Sequence, residues 1–513
     1  MRRLALSLLV AISAAMGLPS GAGAQLPDST LWGLPGNGNS LVQFRADGPS
    51  VLTDSVVITG LQQGERLAAV DFRPRTGQLY GIGVEGLDTI RVYTINTDSG
   101  RAAQIPGSAP IAVNASSSWG MGFNPTSDRI RVVNSADENM RINPNSGARS
   151  DSPLNDTDLN PASEIVTGVG YDRSFDSGAP VGARTTLYGI AAGPSDTLVT
   201  IGGINSTPSP NTGIVNPVGE GTGLPLEGDV GLDVGLDGRG YASATLSDVN
   251  VFFLVNLTTG SFLPINAIAD GNLDVESLAV VPPSVVATAT GTKGKGLVQV
   301  SDAATREQMF EVAPFNGKKT QGIRVALGDL DLDSTPELIA APGPKGKPKI
   351  LTFDDDGAPL ATIDAYDLSF RGGVFVGSGD IDADGYKDII AAAGKGKTDE
   401  SQIKVFDGET NSVLVEFDAF TRPFKAGVTV AAADFDLDGD HEIVAGEGGG
   451  ASVRVFDESG SPFVPGSLPS FDNDFEAFPA GSNGGISVAA GDVNGDGTPD
   501  IVAGAGPGEA PEV

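Results

Sequence analysis

The chain has 513 residues, with 65 acidic and 32 basic side chains for a formal charge of -33, no cysteine, one histidine and 71 glycines. The lack of cysteine excludes disulfides, thiolate zinc sites and cysteine nucleophiles, and the acidity argues against nucleic acid or an anionic membrane as partner. Glycine and proline at this level disfavour helices, while 40% apolar content can still fill cores, so short strands joined by turns are expected, in several domains.

Arg2-Arg3, an apolar run from Leu4 to Met16 and the small residues Ala22-Gly23-Ala24 follow the order of a secretory signal peptide over residues 1–24, with cleavage expected after Ala24. The apolar run is shorter than the roughly 20 residues a bilayer span needs. No membrane-spanning segment is expected elsewhere. A cysteine-free exported chain reads as a bacterial product that is secreted, periplasmic or held at the cell surface.

Residues 25–283 repeat an irregular unit. One copy runs Leu67-Ala-Ala-Val-Asp-Phe-Arg-Pro, then Leu79-Tyr-Gly-Ile and Ile90-Arg-Val-Tyr-Thr-Ile; others open at Trp119-Gly-Met-Gly-Phe-Asn-Pro and Val230-Gly-Leu-Asp-Val. Each offers three or four strands parted by Gly, Asn, Asp and Pro turns, the content of a propeller blade. The first unit, from Leu31 to Phe44, lacks an opening strand, and Val275-Glu-Ser-Leu-Ala-Val-Val supplies one, so a blade built from both ends closes the ring. Units near 31–60, 66–107, 118–150, 165–220 and 229–266 predict five blades, or six if the fourth region divides. This repeat resembles the DUF4394 domain family over nearly all of the region, which implies an exported propeller-like domain and brings no activity. Trp32 and Trp119 are expected in the core.

Pro282-Pro283 marks a change of composition: all 12 lysines lie at or beyond Lys293, while 15 of 20 arginines lie before it. Residues 284–513 repeat a four-stranded unit of about 55 residues around an acidic loop. Asp329, Asp331, Asp333 and Glu337 occupy offsets zero, two, four and eight of the earliest copy. Asp380, Asp382, Asp384 and Asp388 repeat the spacing, as do Asp434, Asp436, Asp438 and Glu442, and then Asp492, Asn494, Asp496 and Asp500. Gly385, Gly439 and Gly497 stand at the bend, and Ser334 takes that place in the first loop. Alternate oxygen-bearing side chains on a tight loop converge on one hard cation, and Ca2+, with six to eight oxygens in forgiving geometry, suits them better than magnesium. Three or four such sites are expected. Offset eleven is Ala340, Ala391, Ala445 or Ala503 and the flanks are strand-like, so the EF-hand reading fails.

The unit is similar to the FG-GAP/VCBS repeats of calcium-loaded, integrin-type propellers, and that resemblance implies calcium ligands at the offset positions. Three whole units with a partial unit at each end fall short of about seven blades, so the second propeller reads as incomplete or truncated. Two all-β, propeller-like domains are therefore expected.

His441, inside the third acidic loop, is expected to face solvent, and no nucleophile elbow accompanies it. Gly394-Lys-Gly-Lys-Thr398 resembles a phosphate loop only superficially, since no helix pattern follows. The function expected is extracellular recognition, adhesion or assembly through a protein or glycan surface ligand. A secreted metal-dependent hydrolase or lyase with its site in the first propeller, or a structural envelope or matrix protein, are the alternatives. Two or more carboxylates facing the first ring's channel would favour catalysis.

Overall fold

The computed structural model describes residues 29–513 apart from 75, 151–155, 162–164, 173–184, 193–195, 236–237, 283, 292–293, 295, 304–305, 307, 316–321, 332–334, 397–400, 422–424, 437–439, 465–471, 480–483, 494–497 and 507–513. The signal segment expected over 1–24 lies outside the described residues. Among them every regular element is a β-strand apart from three short 3-10 turns, at Ile204–Ser206, Pro210–Thr212 and Ile268–Gly271. The chain divides into two compact units, Met1–Pro282 and Pro283–Val513.

The first unit holds five antiparallel sheets among its described residues. The strand Val275–Val280 pairs with Thr30–Pro35, aligning Leu31 with Val280 and Gly33 with Leu278, so one sheet is made from both ends of the unit. The other four sheets begin with Glu65–Phe72, Trp119–Asn124, Ile165–Tyr171 and Glu227–Val234. The long fourth region forms one sheet, ending at Val215–Pro217. The opening strand of each sheet lies against that of the next, and Glu227–Val234 lies against Val275–Val280 to complete the cycle.

Packing follows the same cycle. Trp32 and Leu41 of the first sheet pack with Leu67 and Tyr93 of the second. Ile82 and Val92 then meet Trp119 and Ile130, Val133 meets Val166 and Leu187, Tyr188 and Leu198 meet Leu232 and Phe253, and Tyr241 and Phe252 return to Leu31 and Phe44. The opening strands are buried almost continuously because a neighbouring sheet covers each face. Their glycines answer to that crowding: a Cβ at Gly168 would lie 2.3 Å from the Val230 carbonyl. A penultimate aspartate joins neighbours in two of the opening strands. Asp71 accepts from the Phe72 and Phe123 N–H groups at 2.8 and 2.6 Å, and Asp233 accepts from Val234 and Val280 at 2.7 and 2.6 Å.

The second unit is a series of sheets: three strands over residues 285–312, four over 323–364, four over 374–418, four over 428–476 and two over 486–505. Second strands such as Glu337–Pro342 and Asp388–Ala393 are fully buried, as their apolar and alanine content dictates. Third and fourth strands carry directly opposed ion pairs, Lys349 with Asp364, Lys404 with Glu416 and Arg454 with Asp474. The cation of one blade also sits over an aromatic ring of the blade before it, Lys404 over Tyr366 and Arg454 over Phe420.

Candidate metal centres

The acidic loops close four equivalent hairpins. The last residue of the first strand pairs with the offset-eight acid in each: Gly328 with Glu337, Gly379 with Asp388, Ala433 with Glu442 and Gly491 with Asp500. The acid therefore sits on the strand, where its position is fixed. One of its oxygens accepts the N–H of the offset-one residue in every copy: Leu330 to Glu337 at 2.6 Å, Ile381 to Asp388 at 2.7 Å, Phe435 to Glu442 at 2.7 Å and Val493 to Asp500 at 3.0 Å. This bond folds the start of the loop back over its end.

Three loops bring carboxylates together, with ligand atoms within 4.8 Å of one another: Asp329, Asp331 and Glu337; Asp380, Asp382 and Asp388; Asp434, Asp436 and Glu442. Each set combines offsets zero, two and eight. The offset-four residues Asp333 and Asp438, and Asn494 and Asp496 of the last loop, lie outside the described residues. Asp492 and Asp500 are described. In the second loop Asp384 groups with Asp382 and with Asp407, so the four acids of this loop do not gather into one set as the spacing predicts. Asp407 comes from the turn between the third and fourth strands of the same blade, and the sequence reading missed it. Gly385 has φ 105°, the left-handed backbone that the bend requires.

The electrostatics are those of crowded, sheltered carboxylates. Asp380, Asp388, Glu337 and Glu442 are almost fully buried. Burial, reinforced by Asp436, Asp434 and Asp440, pushes the Glu442 carboxyl up to about 9. Burial with Asp382 and Asp380 nearby pushes Asp388 up to about 7, and Asp384 rises to about 6 for the same causes. Carboxylates held this way resist ionising together until a cation joins them. The donor set, all oxygen and mostly charged, fits a hard divalent ion.

Successive loops are also joined. The Lys387 N–H donates to the Asp329 carbonyl at 2.9 Å, and the His441 N–H to the Asp380 carbonyl at 2.7 Å, both from offset seven of the following loop. The next such position is Pro499, which has no N–H to give. His441 differs from expectation: it is half-buried, with Nδ1 3.2 Å from the Asp380 amide nitrogen and Nε2 3.3 Å from Lys387 Nζ. The lysine-rich stretch beginning at Gly394 follows the strand Asp388–Ala393 and precedes the strand Gln402–Phe406, with no helix among the described residues.

The first unit gathers a second group of charges. Arg66, Asp229 and Glu276 lie near the starts of three opening strands, with Ser118 just before a fourth. Burial, then Asp229 and Asp274, pushes Glu276 up to about 7. Burial also raises Asp229, which Ser118 and Arg66 partly offset. Asp274 accepts from Thr245 at 2.9 Å and Asn250 at 3.1 Å. Trp32 and Trp119 are buried, as expected.

Comparison with known proteins follows the same division. Residues 40–279 match the model of a domain of unknown function, DUF4394, and residues 434–503, which contain the third and fourth loops, match the FG-GAP-like repeat. No curated protein matches the chain. The crystal structure of Saccharomyces cerevisiae Sqt1 is similar at 10% identity and TM-score 0.25, covering 86% of this chain and 96% of that one. A dihydro-heme d1 dehydrogenase NirN complex is similar at 9% identity and TM-score 0.25, covering 86% and 74%. Neither likeness bears on function at that score. The chain carries a DUF4394 domain followed by an FG-GAP-like repeat region.

Proposed function

We propose that the chain is an exported calcium-binding repeat protein that acts in recognition, adhesion or assembly outside the cell. Its domains are a signal peptide over 1–24, a DUF4394 propeller over 25–283 with five blades, and a calcium-loaded FG-GAP/VCBS-like domain over 284–513. The ligands are the acids at offsets zero, two, four and eight of each loop, with Asn494 at offset two of the last. What carries this reading is the recurrence of one arrangement: an offset-eight carboxylate tied to the offset-one N–H in four hairpins, buried in the first three, where further acids gather around it. Calcium there neutralises charge and stiffens one end of each blade, giving a rigid platform for surface binding. The test is metal content: chelator-treated protein is dialysed against calcium and assayed by atomic emission. Three or four ions per chain are expected, and none bound by folded protein would refute the assignment.

The enzyme alternative has one observation in its favour, the Asp229–Glu276 group beside Arg66 in the first unit. A carboxyl poised near neutrality beside a second acid can exchange protons with a substrate. A hydrolytic or lyase activity that requires a divalent metal and disappears in Glu276→Gln would establish it; activity unchanged in that variant would remove it.

A further inference from the structure

The acidic loops occupy one end of the second unit, and the turns at the other end carry exposed lysines. In an antiparallel four-stranded blade the turns joining strands one to two and three to four share an end. The turn joining strands two and three, and the connection to the next blade, share the other. The tripeptide Lys-Gly-Lys begins at Lys293, Lys345 and Lys395, each time after a second strand, and Lys318, Lys319 and Lys425 fall in connections between blades. Among the described residues, Lys345, Lys347, Lys395 and Lys425 belong to segments at this end. Lys293, Lys295, Lys318, Lys319 and Lys397, with the acids Asp399 and Glu400, lie outside the described residues.

Lys345, Lys347 and Lys395 are exposed, and none has an ion-pair partner among the described residues. Lys345 has φ 74°, a backbone conformation that favours glycine, yet the turn places a lysine there. Adjacent blades hold these turns together through their backbones. The Lys345 N–H donates to the Arg371 carbonyl at 2.8 Å. Gly373, with φ 84°, rests on the Gly343–Pro344 backbone, and Gly427, with φ 89°, rests on Lys395, where a Cβ would lie 2.6 Å from its nitrogen. Arg324 adds a half-buried cation beside Gly373. It donates to the Val374 carbonyl at 3.2 Å and stacks 3.6 Å over the Phe375 ring. Burial alone pushes its guanidinium down to about 10, with no carboxylate contributing. The described acids at this end are Asp364, Asp418 and Glu476, which end fourth strands and of which Asp364 pairs with Lys349, together with Asp367 beside Arg371 and Glu447 at the start of the corresponding turn of the next blade.

We propose that this basic edge docks an acidic polysaccharide, a linear chain bearing sulfate or carboxylate groups at short regular intervals. Positive turns in two adjacent blades match a ligand whose negative charge recurs along its length, and the -33 charge of the whole molecule confines such a ligand to this edge. Tyr366, Phe370 and Phe420 are buried, so among the described residues no aromatic platform accompanies the charge, as a single-stranded nucleic acid would require. The inference deepens the recognition role proposed above and rests on that reading for an extracellular source of ligand.

The test uses the intact, calcium-loaded protein, with heparin oligosaccharides as the sulfated probe, polygalacturonate as the carboxylated probe and dextran as the neutral one. Binding of at least one polyanion and not dextran is expected, weakening about tenfold or more between roughly 50 and 200 mM salt. The combined variant Lys345→Glu, Lys347→Glu, Lys395→Glu should bind about tenfold more weakly or worse, and calcium should raise its melting temperature as it does for the parent. Failure of both polyanions to bind, or undiminished binding by the variant, overturns the proposal. So does a variant that instead loses self-association or adhesion to anionic vesicles in a protein that ignores both polysaccharides. If calcium does not raise the melting temperature, the metal reading falls separately, whatever the polysaccharide result.

Discussion

Asp71 and Asp233 show how one side chain joins two blades. Each carboxylate accepts one N–H from its own strand and one from the next opening strand, in a setting closed to water. Asp71→Ala leaves two buried amides without an acceptor and should destabilise the first unit by about 3 kcal/mol in urea denaturation. A change under about 1 kcal/mol would show that the amides find other partners. Glu276 governs the pH response of the same unit. Its folded pKa, about 7, lies above the 4.5 of the free group, so between these values the folded state binds more protons than the unfolded one. Stability should therefore fall as pH rises from about 4.5 through 7, and Glu276→Gln should flatten that part of the profile, diminished by the partial exposure of the group. An unchanged profile would remove Glu276 as its cause.

The hairpin with its loop is the element on which the second unit is built, and much of it was legible in the sequence. The offsets zero, two, four and eight announced the acids, and the apolar run after each loop announced the strand that fixes the last of them. Asp407 was not legible, because it reaches Asp384 from a different turn and no spacing within the loop implies it. His441 was misread for the same reason: its partners, Asp380 and Lys387, belong to the preceding loop. The glycines before each first strand carry a further constraint. Gly373→Ala puts a Cβ 2.7 Å from the Gly343 carbonyl carbon on a left-handed backbone and should cost about 3 kcal/mol. Gly491, which has nothing within 4 Å of its Cβ position, should tolerate alanine with less than about 1 kcal/mol lost. Equal effects at both positions, measured by calorimetric melting, would contradict this packing account.

At the scale of the whole molecule the chain is two repeat units with different chemistry. The first closes its packing into a cycle, and Val275-Glu-Ser-Leu-Ala-Val-Val foretold the shared sheet because the opening unit lacked a strand. Its charged group was invisible beforehand, since Arg66, Ser118, Asp229 and Glu276 come from four sheets far apart in sequence. In the second unit exposed lysine turns stand at the end opposite the acidic loops, which a net value of -33 conceals. Calcium binding to its folded state should stabilise it by mass action and leave the first unit unaffected. The most direct test is differential scanning calorimetry of the intact chain with chelator and with millimolar calcium. Two transitions are expected, one moving up by several degrees or more with calcium and the other stationary. Two transitions that both ignore calcium would contradict the central claim, and the acidic hairpins would then be surface turns without a metal.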